Sequence, residues 1–299
     1  MTSAAATRDL PLSDLRPRRS VGSSLWNIAR RKPIGAIAAV VCIVLVLVAI
    51  FAPLLAPHPP DQVGFPRLHA PSLDHPFGTD NLFRDVFSRT IVSSRVSLGV
   101  GFTAVFLATI VGAALGIFSG YLGGWVDISV SRVLDVIIGM PPLIFAIFML
   151  TVFERNFMNV SMTIAIIYMP TTARIVRSSV LSIRNLQYIE AAQAVGNTPP
   201  RIMWRHVLPN VFAPIIVVAS IQIGNAILTE AALSFLGLGI ATDAQPSWGK
   251  MLQDSRSVWQ QSWWMSVIPG GAISLAVLAF NLFGDALRDV LDPRLRGTS

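Results

Sequence analysis

Apolar and polar positions along this chain fall into long blocks. Six stretches contain no Asp, Glu, Lys or Arg: 33–60, 96–126, 136–153, 156–173, 207–229 and 257–284. A helix rises about 1.5 Å per residue, so about 20 apolar residues cross roughly 30 Å of hydrocarbon. Four of the runs exceed that length, while 136–153 and 156–173, at 18 residues each, only just reach it. Backbone groups in lipid must be satisfied internally, which leaves helices or a closed barrel. Barrel strands alternate apolar and polar residues at period two, whereas these runs are apolar on every side. The pattern predicts an all-α integral membrane protein with six transmembrane helices. The stretch 234–240 (SFLGLGI) is too short to span and reads as an interfacial or re-entrant piece.

Six crossings put both termini on one side. With the N-terminus inside, the inner segments hold sixteen Lys and Arg and the outer segments seven. Positive residues favour cytoplasmic segments, so both termini are predicted to be cytoplasmic. The first apolar run is far longer than the 7–15 residues of a cleavable signal and reads as an uncleaved span. The chain then divides into a basic cytoplasmic tail (1–32), a first transmembrane helix (33–60), an extracytoplasmic loop (61–95) and a five-helix core (96–299). The largest internal cytoplasmic segment is 174–206.

Composition narrows the function. Hydrophobic residues make up 53% of the chain and charged residues 13%, about half the usual charged share of roughly 25%. A charged soluble surface cannot be built from that. The net charge of +7 does not point to nucleic acid, because the basic residues sit in the gaps between apolar runs and not on one face. The single Cys42 allows no intrachain disulfide and no zinc spacing exists. No Gly-x4-Gly-Lys-Ser/Thr phosphate loop is present, so any ATP site belongs to another chain. An intramembrane enzyme would need convergent polar groups at membrane depth. The apolar runs contain no charged residue, and only His58, at the end of the first, is a histidine.

The segment 184–210 reads RNLQYIEAAQAVGNTPPRIMWRHVLPN. Gln187 to Val195 is a strong helix-forming run, with Glu190 in its first turn where the dipole favours negative charge. Gly196 follows as a C-terminal stop. Thr198 is a good N-cap with Pro199 at the first helical position, so a second short helix is predicted through Arg201 and Val207, ending before Pro209. A helix–turn–helix with a small face (Ala191, Ala192, Ala194, Gly196) and basic ends (Arg184, Arg201) suits either a docking knob or an amphipathic piece resting on lipid headgroups. Residue chemistry alone leaves both open.

EAAQAVG, nine residues, then His206-Val207-Leu208-Pro209 resembles the EAA signature of ABC importer permeases: EAA, three residues, Gly, nine residues, I-x-L-P. Every fixed position agrees except His206, which is the residue usual in the dipeptide, oligopeptide and nickel branch. The strings HPFGTDNLFRDVFSR (75–89), GYLGGWVD (120–127), EAALSFLGLG (230–239), SWG (247–249) and NLFGDALRDVLDPR (281–294) resemble others of that branch along nearly the whole chain. Phe83 stands where the branch usually has Gly, which puts the local turn in question. The extra N-terminal span and the LDPR ending resemble the C-type membrane subunit.

The resemblance implies a type I ABC importer permease fold in a bacterial inner membrane. It implies three kinds of partner: a second homologous permease, two ABC ATPase domains carrying ATP and Mg, and an extracytoplasmic substrate-binding protein. It implies a dipeptide or oligopeptide substrate, with nickel or another small solute as the alternative. The ATPase-coupling residues would be Tyr188, Glu190, Ala191, Ala192, Gly196, Arg201, His206, Leu208 and Pro209. No catalytic residue, bound cofactor or metal is expected on this chain. A secondary transporter or channel is the rival of another class. It would usually carry buried mid-membrane charges and inverted repeats.

Outside the loop, Gly112, Gly116 and Gly120 repeat every four residues and form a small-residue stripe for close helix packing. Asp135 and Glu230 lie near span ends and are candidates for translocation or subunit contact. His58, His69 and His75 are spread along one outer loop and lack the convergence a metal needs. Asp80 and Asp85 flank Arg84 and read as a loop ion-pair network or an external docking point.

Overall fold

The computed structural model describes residues 32–240, 242 and 245–291; the basic tail 1–31 and the last eight residues, including most of LDPR, lie outside them. Its helices are α1 Pro33–Ile50, α2 Ala52–Leu55, α3 Val86–Leu122, α4 Gly124–Ile138, α5 Pro142–Val152, α6 Phe157–Ile183, α7 Gln187–Ala194, α8 Pro199–Ile202, α9 Leu208–Phe235, α10 Trp248–Ser255 and α11 Trp264–Leu291. Among the described residues, β pairing is limited to one bridge between Thr79 and Asp85.

Four helical runs are long and apolar enough to cross a membrane: α1, α3, the run from α8 through α9, and α11. A fifth crossing results if α4 and α5, which meet at 88°, count as one broken span. The break falls at Gly139, Pro141 and Pro142 inside the predicted third span. Proline lacks the N–H and pushes its predecessor away from helical geometry, so an unbroken helix over 136–153 does not form. The predicted fourth span is α6. It is 27 residues long, but Asn159, Ser161, Thr163, Thr171, Thr172, Arg174 and Arg177 make it less apolar than the others. The count of six is therefore approximate.

Two boundaries also differ from the charge-free runs. The first helix ends at Ile50, and the chain up to Asp85 is mostly irregular. The second begins at Val86, well before residue 96, because Asp85 caps it by accepting the Ser88 N–H at 2.8 Å. The resulting 37-residue helix is roughly 55 Å long at about 1.5 Å per residue, and its first turns stand in the loop layer.

The bundle core is the pair α3 and α6. Gly112, Gly116 and Gly120 lie against α6. A Cβ added at each would fall 2.7 Å from the Met169 carbonyl, 2.5 Å from the Ala173 carbonyl and 2.9 Å from Val180 Cβ, respectively. Lipid offers no hydrophobic drive between helices, so such backbone contact supplies the attraction through dispersion. α9 packs across this pair and carries α11, which in turn carries α1.

One end of the bundle gathers the start of α1, the end of α11 and the 184–207 segment. Lys32 pairs with Asp289, Gln193 Nε2 donates to the Tyr121 hydroxyl at 3.2 Å, and Arg184 Nη1 donates to the Gly120 carbonyl at 3.2 Å. The other end is closed by the 57–85 loop and α10. There Trp264 Nε1 donates to the Thr79 carbonyl at 3.1 Å and Trp248 Nε1 to the Thr90 carbonyl at 2.9 Å. This end holds the ion-pair network: Asp80 Oδ1 accepts the N–H of Leu82 and Arg84 at 2.8 and 2.9 Å, and its Oδ2 accepts Arg84 Nε at 2.7 Å. Arg89 lies 3.7 Å from both Asp80 and Asp254. Phe83 adopts φ +61°, the left-handed conformation that glycine would favour, so the turn survives the substitution.

Candidate functional site

The segment between α6 and α9 is a knob with an apolar root. Ile189 of α7 and Ile202, Met203 and Val207 beyond it are buried together with Ala113 and Ile117 of α3, Val176 and Val180 of α6, and Val211 and Ile215 of α9. Ile189 and Ala192 are three residues apart and share the inward face, as helical periodicity requires. The opposite face is left outward: Tyr188, Glu190, Ala191, Gly196 and Arg201 are exposed.

α7 ends in a Schellman arrangement. The Gly196 N–H donates to the Gln193 carbonyl at 2.8 Å and the Asn197 N–H to the Ala192 carbonyl at 3.2 Å. Gly196 has φ +84°, and a Cβ added there would meet nothing within 4 Å. The constraint at this position is backbone conformation, not space. Thr198 precedes Pro199 in extended geometry but makes no side-chain cap.

The second short helix does not stop before Pro209. It continues through a π turn, Met203–Val207, directly into α9. The Leu208 N–H bonds to the Met203 carbonyl, five residues back, and Asn210 Nδ2 donates to the His206 carbonyl at 2.7 Å. Pro209 lacks the N–H that the Arg205 carbonyl would take, and in a regular helix its ring would clash there. The wider turn relieves that clash without ending the helix. His206 and Leu208 are half-buried in this turn and Pro209 is exposed.

The knob also projects Val195 and Trp204, 83% and 76% exposed. Large apolar side chains held this far out, beside Tyr188 and Arg201, make a surface suited to a protein partner. Val195 closes the helix-forming run that the sequence marks from Gln187, and nothing in that run announces its exposure.

Asp135 and Glu230 do not belong to this site. Asp135 is 48% exposed and pairs with Arg174 at 2.5 Å, tying α4 to α6. Arg177 binds Asp127 through Nε and Nη2, at 2.5 and 2.6 Å, and makes the same tie one turn further along α6. Glu230 is 1% exposed. It accepts the Ser234 hydroxyl at 2.6 Å and lies beside Ser97 and Ser247, inside the chain and away from any outer surface.

Residues 112–297 match the family described as the binding-protein-dependent transport system inner membrane component. The chain belongs to that family. Residues 20–71 match the N-terminal transmembrane domain of oligopeptide transport permease C, which makes this permease a C-type subunit of the peptide ABC importer group. It is 45% identical over 252 residues to the dipeptide transport system permease protein DppC of Alkalihalophilus pseudofirmus, covering 84% of this chain and 83% of that protein. It is 36% identical to the probable D,D-dipeptide transport system permease protein DdpC of Escherichia coli, covering 95% and 97%. It is 39% identical to the glutathione transport system permease protein GsiD of E. coli, covering 98% and 97%. Among solved structures, the MetNI methionine ABC transporter in inward-facing conformations superposes with a TM-score of 0.54 at 17% identity, over 66% of this chain and 93% of that one. The permease therefore has the type I ABC importer fold. It is a membrane subunit and not itself an enzyme; the ATPase is on a separate subunit. Membership implies a partner permease, ATPases and a binding protein in general terms, and a bacterial inner-membrane location.

Proposed function

We propose that this chain is the C-type half of a translocation path for short peptides, with dipeptides as the leading substrate. It pairs with a second homologous permease, receives solute from an extracytoplasmic binding protein and is driven by two ATPase domains that hold ATP and Mg. The observation that carries the reading is the knob over 184–207. It has a root buried against three long helices and an outer face of Tyr188, Glu190, Ala191, Gly196 and Arg201 that is exposed among the described residues. Such a surface, in a protein with no nucleotide loop of its own, suits docking to an engine.

Both termini and the knob are assigned to the cytoplasm, the 61–85 loop and α10 to the outside. The basic tail, the first helix and the five-helix core keep the roles assigned to them on sequence. Ala192, His206, Leu208 and Pro209 shape the knob that presents this face. Gly112, Gly116 and Gly120 hold α6 against α3. Asp135 braces α4, and Glu230 locks the outer end of α9. Closure of the ATPase pair on ATP shifts the knob between two discrete positions, and the helices attached to it follow.

Glutathione is a second reading, because the relative named for it matches 98% of this chain. Nickel has less behind it: among the described residues no three His, Cys, Asp or Glu gather into a metal-sized group.

The test is uptake of labelled dialanine and glutathione into proteoliposomes holding the whole complex with its binding protein. Uptake should require ATP, and deleting 188–196 should abolish it while the chain still inserts. Uptake that survives the deletion, or that proceeds without the ATPase subunits, overturns the proposal.

A further inference from the structure

A concave groove of about 870 Å³ runs between α6 and α9. It begins at Tyr168 and Asn225 near the middle of the two helices and reaches Asn210 and Arg288 at the knob end. Its mid-level wall is polar and uncharged. The Tyr168 hydroxyl bonds the Thr229 hydroxyl at 2.8 Å and donates to the Asn225 carbonyl at 3.1 Å. Behind it, buried Gln222 donates to the Tyr168 carbonyl at 3.2 Å and accepts the Thr172 hydroxyl at 3.1 Å. Those bonds fix the wall. The side chains of Thr171 and Asn225 are exposed into the groove. Among the described lining residues Arg288, at the knob end, is the only charged one.

An amide left in hydrocarbon without a partner costs roughly 2–7 kcal/mol, so Asn225 must face water, solute or protein. A groove of this volume with an uncharged polar band at its middle fits a wet path.

We propose that this groove is the chain's half of the solute path, and that Tyr168, Thr171 and Asn225 form the band the solute touches. The inference rests on the importer reading above. Neutral donors and acceptors with no acid select solutes rich in amide groups and of little net charge, the chemistry of a zwitterionic dipeptide.

Because Cys42 is the only cysteine of this chain, a Cys42→Ala background gives single-thiol reporters when labelling is read on this subunit alone, separated from its partners. Thr171→Cys and Asn225→Cys are made in the full complex, with Phe106→Cys, 64% exposed on the apolar surface, as the lipid-facing control. The probe is a membrane-impermeant cationic methanethiosulfonate added from the knob side of inverted vesicles. Both groove positions should react without nucleotide and slow at least tenfold when the complex is trapped with ATP and vanadate, while position 106 stays unreactive. No reaction at 171 and 225 in either state, or reaction that nucleotide does not change, overturns the path. Selectivity is read from uptake of dialanine, Ala-Lys and Ala-Glu. Asn225→Asp should shift preference toward Ala-Lys at least fivefold, and an unchanged ratio overturns the contact role. A wild-type complex that takes up none of the three overturns the peptide reading and is scored separately from the labelling.

Discussion

The contact between α3 and α6 sets a sharp test at Gly116. A Cβ there would lie 2.5 Å from the Ala173 carbonyl, 2.8 Å from Val176 Cβ and 3.0 Å from the Arg177 nitrogen. Two of these partners are backbone atoms and cannot rotate away. Ordinary contact starts at 3.4 Å, so the helices must part locally by 0.9 Å, the difference between 3.4 and 2.5 Å. Overpacking of this kind costs about 1–3 kcal/mol, against which alanine returns up to about 1 kcal/mol of helix propensity. Gly116→Ala should therefore destabilise by up to about 2 kcal/mol. Gly271 in α11 is the control, because a Cβ there meets nothing within 4 Å and Gly271→Ala keeps only the propensity gain. Thermal unfolding of the purified complex in one detergent compares the two. The expected order of midpoints is Gly271→Ala at or above wild type, and Gly116→Ala below it. A Gly116→Ala midpoint equal to that of Gly271→Ala would refute the close-packing argument. Because α6 leads straight into the knob, uptake by Gly116→Ala should fall further than its loss of stability alone explains.

Asp80→Asn keeps the shape of the outer loop but removes the charge facing buried Arg84 and Arg89. Breaking one side of a buried pair costs about 3–5 kcal/mol, and limited proteolysis of the 57–85 loop should speed up by at least tenfold; an unchanged rate would mean the network does not hold the loop. Phe83→Gly relieves a left-handed phenylalanine at a cost in unfolded-chain entropy, for a net gain of up to about 1 kcal/mol, visible as a raised midpoint. Gly196→Ala meets no atom but must hold φ +84°, which costs about 1–2 kcal/mol. It should lower ATP-driven uptake with insertion intact, and Gly196→Asn, better tolerated in that region, should recover part of it.

Much of the architecture was legible because lipid imposes a simple rule: long runs without charge become helices. The same rule explains the misreadings. It placed the start of α3 at residue 96 because Arg89 and Arg95 interrupt the run, yet Arg89 is buried beside Asp80 and Asp254 and the helix simply continues through it. Asp254 is 165 residues from Arg89, and no local pattern announces that pairing. In the knob, Gly196 and Pro199 marked the turn because each has a backbone meaning of its own. Pro209 misled for the opposite reason: a proline normally ends a helix, and only the π turn at Met203–Val207 lets this one pass. The polar band of the groove was hidden because Thr171 and Asn225 are single polar residues on different helices, and their convergence appears only when α6 and α9 lie side by side.

The two helices that leave the knob are also the two walls of the groove, and their attachments differ. α6 joins it through Arg184, which is tied to the Gly120 carbonyl, and α6 itself is pinned to α3 along Gly112, Gly116 and Gly120. α9 joins it through the π turn, where the Leu208 N–H reaches five residues back to the Met203 carbonyl and Pro209 offers no N–H. A force on the knob therefore meets a stiff wall on the α6 side and a compliant one on the α9 side. The groove should then change width mainly by movement of α9, carrying Asn210, Pro214 and Asn225 with it. The difference lies in the backbone, because a π turn set beside a proline yields before a helix locked by close backbone contact. Paired spin labels would read it: the distance from position 171 to 225 should change with nucleotide, while the distance from 118 on α3 to 178 on α6, both exposed, should not.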